Sequence, residues 1–183
     1  MRAIGELTVP AFGVNFRAMT TGQPPQPSTA ALRAEHEKLL ASVQGMAERV
    51  ETLHEQTTPQ QMVLAREVLD LMRKHVAPHA RAEEYTLYPA ADWAAGEGSH
   101  VSEVPRFEHK LLERRCDALD KAIQAAAPAG KLMHLCYGIL GLVMAHFAAT
   151  EEVLLPYLDK AFDAARFEKE VLSPLRETRS AKR

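Results

Sequence analysis

The chain has only two cysteines, Cys116 and Cys136, twenty positions apart and with no Cys-x-x-Cys spacing anywhere. That excludes a disulfide scaffold and a cysteine-ligated zinc module, and both residues read as buried thiols. There is no uninterrupted apolar run approaching the roughly 18 residues that a membrane span needs. The opening MRAIGELTVPAFGVNF is broken by Glu6 and Pro10, which makes a poor secretory signal, so a cytoplasmic protein with no membrane association is expected. Net charge is −2 and no long block of one sign occurs, so no nucleic-acid partner is expected. The basic end, residues 176–183, reads as a solvated tail. Sustained alternation and β-branched runs are missing too, and with them any strand.

What remains is helical. A length of 183 residues suits one domain with a single core. Residues 1–27 end in Gly-Gln-Pro-Pro-Gln-Pro, which no helix interior tolerates, and form an N-terminal arm. Apolar residues then recur at helical spacing in four long stretches. The first runs from a cap at Ser28 to about residue 56. The second starts at Thr58-Pro59, bends at Pro78 and stops before Pro89, leaving 92–100 as a loop. The third runs from Ser102 to the Ala127-Pro128-Ala129-Gly130 break, and the fourth from about 131 to 155, stopped by Pro156. A short fifth helix, about 163–172, packs outside. These signals predict an all-α, up-and-down four-helix bundle over 28–160, followed by a short C-terminal helix and tail over 161–183.

Eight histidines are present, and four of them fall in a pattern. Glu35-His36-Glu37-Lys38-Leu39-Leu40 near the start of the first helix is echoed by Glu108-His109-Lys110-Leu111-Leu112 in the third. His79 lies ten residues before Pro89 and His146 ten before Pro156, with endings Leu87-Tyr88-Pro89 and Leu154-Leu155-Pro156. Each half of the chain is thus a helical hairpin with one early and one late histidine. In an antiparallel bundle, a rise of about 1.5 Å per residue puts all four at one level, roughly 10 to 15 Å from one end. Glu83, four residues after His79, shares its face. Glu151, five after His146, lies about 140° around an ideal helix and is a less favourable but workable partner. Imidazole and carboxylate donors suit iron or manganese, and bridging carboxylates suit a metal pair.

At these residues the sequence resembles the hemerythrin-like, or HHE cation-binding, family, over about residues 30–158. The slots of that family are filled by His36, by His79 with Glu83, by His109, and by His146 with Glu151. The resemblance implies two irons bridged by the two carboxylates, histidines as terminal ligands, and an open position for dioxygen, nitric oxide or peroxide. Two positions depart from the oxygen carriers of the family: Glu113 stands one turn after His109 where they have a histidine, and Thr150 stands four after His146. The departures favour a sensing, redox or iron-handling role over reversible oxygen carriage. A di-iron enzyme, peroxidase-like or acting on nitric oxide, and a metal-free structural bundle are the competing readings. A ferritin-like site would carry Glu-x-x-His, the reverse order. His75, Glu84 and Glu113 are secondary ligand candidates; His54, His100, His134 and the tyrosines are given no role.

Overall fold

The computed structural model describes residues 26–181, so that nearly all of the N-terminal arm lies outside the described residues. Every regular element among them is helical: α1 Ala30–Glu51, α2 Thr58–Leu71, α3 Ala77–Tyr85, α4 Leu87–Ala95, α5 Glu103–Gln124, α6 Ala129–Ala149, α7 Leu155–Ala161, α8 Ala164–Phe167 and α9 Ser173–Ser180. The bundle consists of α1, the α2–α3 rod, α5 and the α6–α7 rod, with α6 packed against α1, α2 and α5. The start signals of its first two helices sit one residue from the expected places, and Ser102 precedes α5 as expected. Thr29 precedes α1, while Thr57 caps α2 through a reciprocal box with Gln60, a helix-entry device that satisfies two otherwise unpaired backbone N–H groups.

Two apolar cores fill the bundle. The larger includes Val43, Val50, Leu64, Val68, Leu119, Ile139, Leu140 and Val143. The smaller, at the other end, gathers Leu32, Leu87, Tyr88, Leu155, Leu158, Phe167 and Leu172. Side chains as deeply buried as Leu140 and Leu155 each contribute about 1.5–3 kcal/mol by leaving water. Along α1 the order is Leu32, His36, Val43; along the second rod it is Val76, His79, Ala82; along the fourth it is Val143, His146, Leu154. In these three rods the histidine lies between residues of the two cores.

Proline shapes three of the joints. Met72–Val76, Thr150–Leu154 and Glu168–Leu172 are π-turns, and each is followed two residues later by Pro78, Pro156 or Pro174. A proline has no N–H and its ring collides with the carbonyl four residues back. The widened turn resolves this: the N–H of the residue before each proline reaches back five residues, Ala77 to Met72, Leu155 to Thr150 and Ser173 to Glu168. The bend expected at Pro78 is one of these turns.

Pro89 and Pro156 do not end helices, contrary to the expectation. Thr86 breaks the rod, with φ −125° and ψ −60°, and α4 resumes with Pro89 in its first turn, where no N–H is needed. The first four residues of the anticipated 92–100 loop are therefore helix, ended at Gly96, whose φ of 105° only glycine adopts without strain. Within α4, Asp92 accepts from the N–H and hydroxyl of Ser102 and fixes the entry to α5. Pro156 sits in the first turn of α7, which runs on to Ala161. The run Ala129–Ala161 is consequently long and apolar enough, by length and composition, to cross a bilayer, which the sequence did not suggest. In the bundle its buried positions, Leu132, Cys136, Ile139, Leu140 and Val143, form the centre of the larger core.

The basic end is not a loose tail as far as Ser180. Arg176 and Arg179 of α9 both pair with Glu35 of α1, and α9 packs on α3. Both cysteines are buried and unpaired, and burial pushes their thiols up, to about 11 for Cys116 and about 12 for Cys136.

Candidate metal centre

Glu83 is the midpoint of the polar layer and is fully buried. Its Oε1 lies 3.3 Å from His79 Nε2 and 3.5 Å from His36 Nε2. Its Oε2 lies 3.4 Å from His109 Nε2 and 3.5 Å from His146 Nε2. Two donor groups result, His36–His79–Glu83 and Glu83–His109–His146, each with ligand atoms within 4.8 Å of one another and all residues buried. One carboxylate joins the two groups, one oxygen to each.

The other ring nitrogens are held from outside. His36 Nδ1 donates to Glu151 at 2.7 Å, His109 Nδ1 to Glu84 at 3.0 Å and His146 Nδ1 to Glu108 at 2.8 Å. A proton committed to Nδ1 leaves the lone pair on Nε2, aimed inward, which is the tautomer a metal-ligating imidazole requires. Arg33 in turn anchors Glu151 and Asp159, and Asp159 accepts from the Thr29 N–H and the Ser28 hydroxyl. The start of α1 is thereby tied to α7 at the level of the site.

The inner atoms are not satisfied by one another. His36 Nε2, His79 Nε2 and Glu83 Oε1 are buried without a hydrogen-bond partner. In the other group His109 Nε2 and His146 Nε2 face each other at 3.3 Å. With both Nδ1 protons given outward, that contact is relieved only by a further proton on one of the two nitrogens or by a cation between them. Buried acceptors left so are costly, on the order of 1–3 kcal/mol each, and a cation is what this donor set fits. Tyr88 partly relieves the second group: its hydroxyl lies 3.0 Å from His109 Nε2 and 3.3 Å from Glu83 Oε2, and its one proton serves one of them. Burial and the Glu83 charge raise the Tyr88 phenol far above its ordinary range, which keeps it protonated.

Charge follows the same geometry. Desolvation opposes ionisation of Glu83, but the surrounding imidazoles outweigh it and hold the carboxyl well below its usual range. Burial disfavours protonated His146, yet Glu108 and Glu83 lift it to about 9. His36 is raised against the same desolvation, by Glu151 and Glu83. His79, which has no outer carboxylate, is lowered by desolvation.

A cavity of about 10 Å³ abuts the centre, lined on its apolar side by Val76, Ala80, Leu112, Leu142, Val143 and Phe147. That is room for roughly one water-sized molecule.

The Hemerythrin HHE cation binding domain model matches residues 28–158, most of the chain. The chain belongs to this family. No curated protein and no solved structure matches it significantly. Membership of the HHE family and the two buried donor groups together fit a metal-binding protein.

Of the candidates read from the sequence of this HHE domain, the structure brings His36, His79, Glu83, His109 and His146 together. Glu151 stands elsewhere: its carboxylate, a quarter exposed, lies on the outer nitrogen of His36 and outside both donor groups. The inward position on that rod belongs to Thr150, which is buried with its hydroxyl unpartnered. Glu84 also is an outer acceptor. His75 lies within the π-turn Met72–Val76 and is exposed, away from the inward face that holds His79. Glu113 is exposed on the wall of a separate hollow that His109 also lines. His54, His100 and His134 are exposed. Glu108 and Tyr88 went unrecognised. Glu108 had a signal, since it precedes His109 as Glu35 precedes His36; Tyr88 had only its place in the Leu-Tyr-Pro ending.

Proposed function

We propose that this HHE protein holds two irons and takes up a small diatomic molecule or peroxide in a sensing, redox or iron-handling role. The observation that supports it most is the division of Glu83, whose two oxygens face two different pairs of imidazoles. His36 and His79 would hold one ion and His109 and His146 the other, with Glu83 between them. Iron bound there supplies Lewis acidity and redox chemistry toward the small ligand. With Glu151 on an outer nitrogen, the reading rests on one bridging carboxylate rather than two.

The chain's own residues set the terms. Glu151, Glu84 and Glu108 fix three imidazoles in orientation and tautomer. Val76, Leu142, Val143 and Phe147 give the cavity an apolar wall and leave no room for anything much larger than a diatomic molecule. Tyr88 keeps a proton at its Oη beside the centre, and this favours a second reading, an enzyme that is peroxidase-like or acts on nitric oxide, because turnover of either ligand consumes protons. The unpaired thiols accord with a reducing, cytoplasmic setting.

Reconstitution of the purified full chain with ferrous iron under anaerobic conditions, followed by metal analysis and absorption spectroscopy after exposure to oxygen, tests the proposal. Two irons per chain with oxo-bridge bands are expected. One iron or none would overturn it. Stoichiometric binding of nitric oxide or peroxide without turnover separates a sensor from an enzyme.

A further inference from the structure

Three of the four central histidines give their Nδ1 proton to a glutamate; His79 does not. Both of its ring nitrogens are buried without a partner. The internal repeat says what is missing. In the second half of the chain the residue before His109, Glu108, accepts from His146. The corresponding residue in the first half is Glu35, before His36, and its natural recipient is His79. Glu35 is engaged elsewhere: Arg176 Nε donates to it at 2.7 Å and Arg179 Nη1 at 3.0 Å, holding it against α9.

The space beside it is a groove of about 1140 Å³ between α1, the α2–α3 rod and α9, to which His79 and Glu35 both contribute. The groove is basic, with Lys38, Arg73, Lys74, Arg81 and Arg179 on its walls and Glu35 its one acid. Arg73 and Lys74 are paired with Asp120 and Asp70 at the surface, and such exposed pairs exchange partners at little cost. Lys38 and Arg81 have no carboxylate among the described residues, and Arg81 Nε is buried without an acceptor. An orphaned imidazole nitrogen, an orphaned guanidinium N–H and a free ammonium thus line one hollow. The last two are donors, and the imidazole joins them when its proton sits on Nδ1, the tautomer of its three neighbours.

We propose that this groove binds an oxyanion, a carboxylate or phosphate group, one oxygen of which accepts the Nδ1 proton of His79 in place of Glu35. No Phe, Tyr or Trp lines the groove, so the ligand is recognised by charge and hydrogen bonds rather than by stacking. An anion bound there would orient His79 as the three glutamates orient its neighbours, and would couple the groove to the buried centre. The proposal goes beyond the metal reading and is tested without metal, so either can fail alone.

Metal-free full-length protein, with histidine side chains labelled with ¹⁵N, is titrated at low ionic strength with inorganic phosphate and, separately, with malonate. The expected result is saturable binding that moves the His79 Nδ1 resonance, with the preferred probe distinguishing a phosphate from a carboxylate ligand. Affinity should fall by about tenfold or more in Lys38→Ala/Arg81→Ala, the loss expected for charge-assisted bonds, and in Lys38→Ala alone by less. Lys38 is exposed, so the single variant keeps the test readable if the double variant misfolds. Lys160→Ala, on α7, should leave affinity unchanged. A His79 resonance that neither anion moves, or equal affinity in the Lys38 and Lys160 variants, would overturn the proposal. So would a His79 Nδ1 signal that shifts in Glu35→Gln without added anion, since Glu35 would then be the partner.

Discussion

Glu84 and Glu151 occupy equivalent places: each lies five residues after the late histidine of its hairpin, and each accepts the Nδ1 proton of the early histidine in the other hairpin, His109 and His36 respectively. The two halves are therefore cross-linked through outer carboxylates. Glu151, like its counterpart Glu84, lies outside both donor groups.

This separates two substitutions at positions that the sequence reading placed in one ligand set. Glu83→Gln removes the one charge shared by both donor groups and should abolish most iron binding. Glu151→Gln keeps the inner atoms and loses only an orienting acceptor, for which a reduction of about 10- to 100-fold in iron affinity is expected, with the number of irons per chain unchanged. Metal titration of the two variants checks this. Loss of one iron per chain in Glu151→Gln would make Glu151 a ligand.

The helices and the level of the histidines were legible because both depend on periodicity and on rise per residue, which sequence spacing records directly. His36, His79, His109 and His146 follow from that arithmetic. Glu151 does not: five residues on from His146 is about 140° around the helix, which turns it outward as it turns Glu84 after His79, and the inward place four residues on falls to Thr150. His75 is displaced differently, since it lies inside the π-turn Met72–Val76 and is exposed. The cause of that turn lay in the sequence as Pro78, but a proline in a helical pattern announces a disturbance without saying whether the helix stops, bends or widens. Nor could spacing show that α9 would hold Glu35, since that contact joins positions more than 140 residues apart.

Protonation competes with metal at this centre. Desolvation alone would lower His146 in the metal-free chain, but Glu108 and Glu83 overcome it and lift the imidazole from 6.5 to about 9. A raised pKa of this kind contributes stability that is fully present below about pH 6.5 and is lost as pH rises through about 9. Metal must displace that proton, so iron affinity should climb over the same interval, with proton release on binding. Chemical denaturation of the metal-free protein and metal titration in buffers of different ionisation enthalpy measure the two. A pH-independent affinity across this range would refute the coupling.

Thr150 has its hydroxyl buried without a partner where the other hairpin has Glu83. A lone buried hydroxyl is a liability, so the nearly isosteric Thr150→Val should stabilise the metal-free protein by about 1 kcal/mol and leave iron content unaltered. Destabilisation, read from denaturant midpoints at equal slope, would mean that the hydroxyl has a partner in solution.

Tyr88 gives an effect that depends on whether metal is present. In the metal-free chain its hydroxyl is the only neutral donor within hydrogen-bond reach of His109 Nε2 and Glu83 Oε2 among the described residues, at 3.0 and 3.3 Å. Tyr88→Phe retains the packing of the ring, which stacks on His109 and sits in the smaller core, and removes that donor alone. The buried acceptor left behind should cost the metal-free protein about 1–3 kcal/mol. Once iron occupies the centre, the same nitrogen and oxygen are satisfied by the ion, and the substitution should cost much less. Melting temperatures of wild type and Tyr88→Phe, each with and without iron, form a four-way comparison in which the deficit shrinks on loading. An equal deficit in both states would place the hydroxyl's contribution in packing instead of in the polar layer.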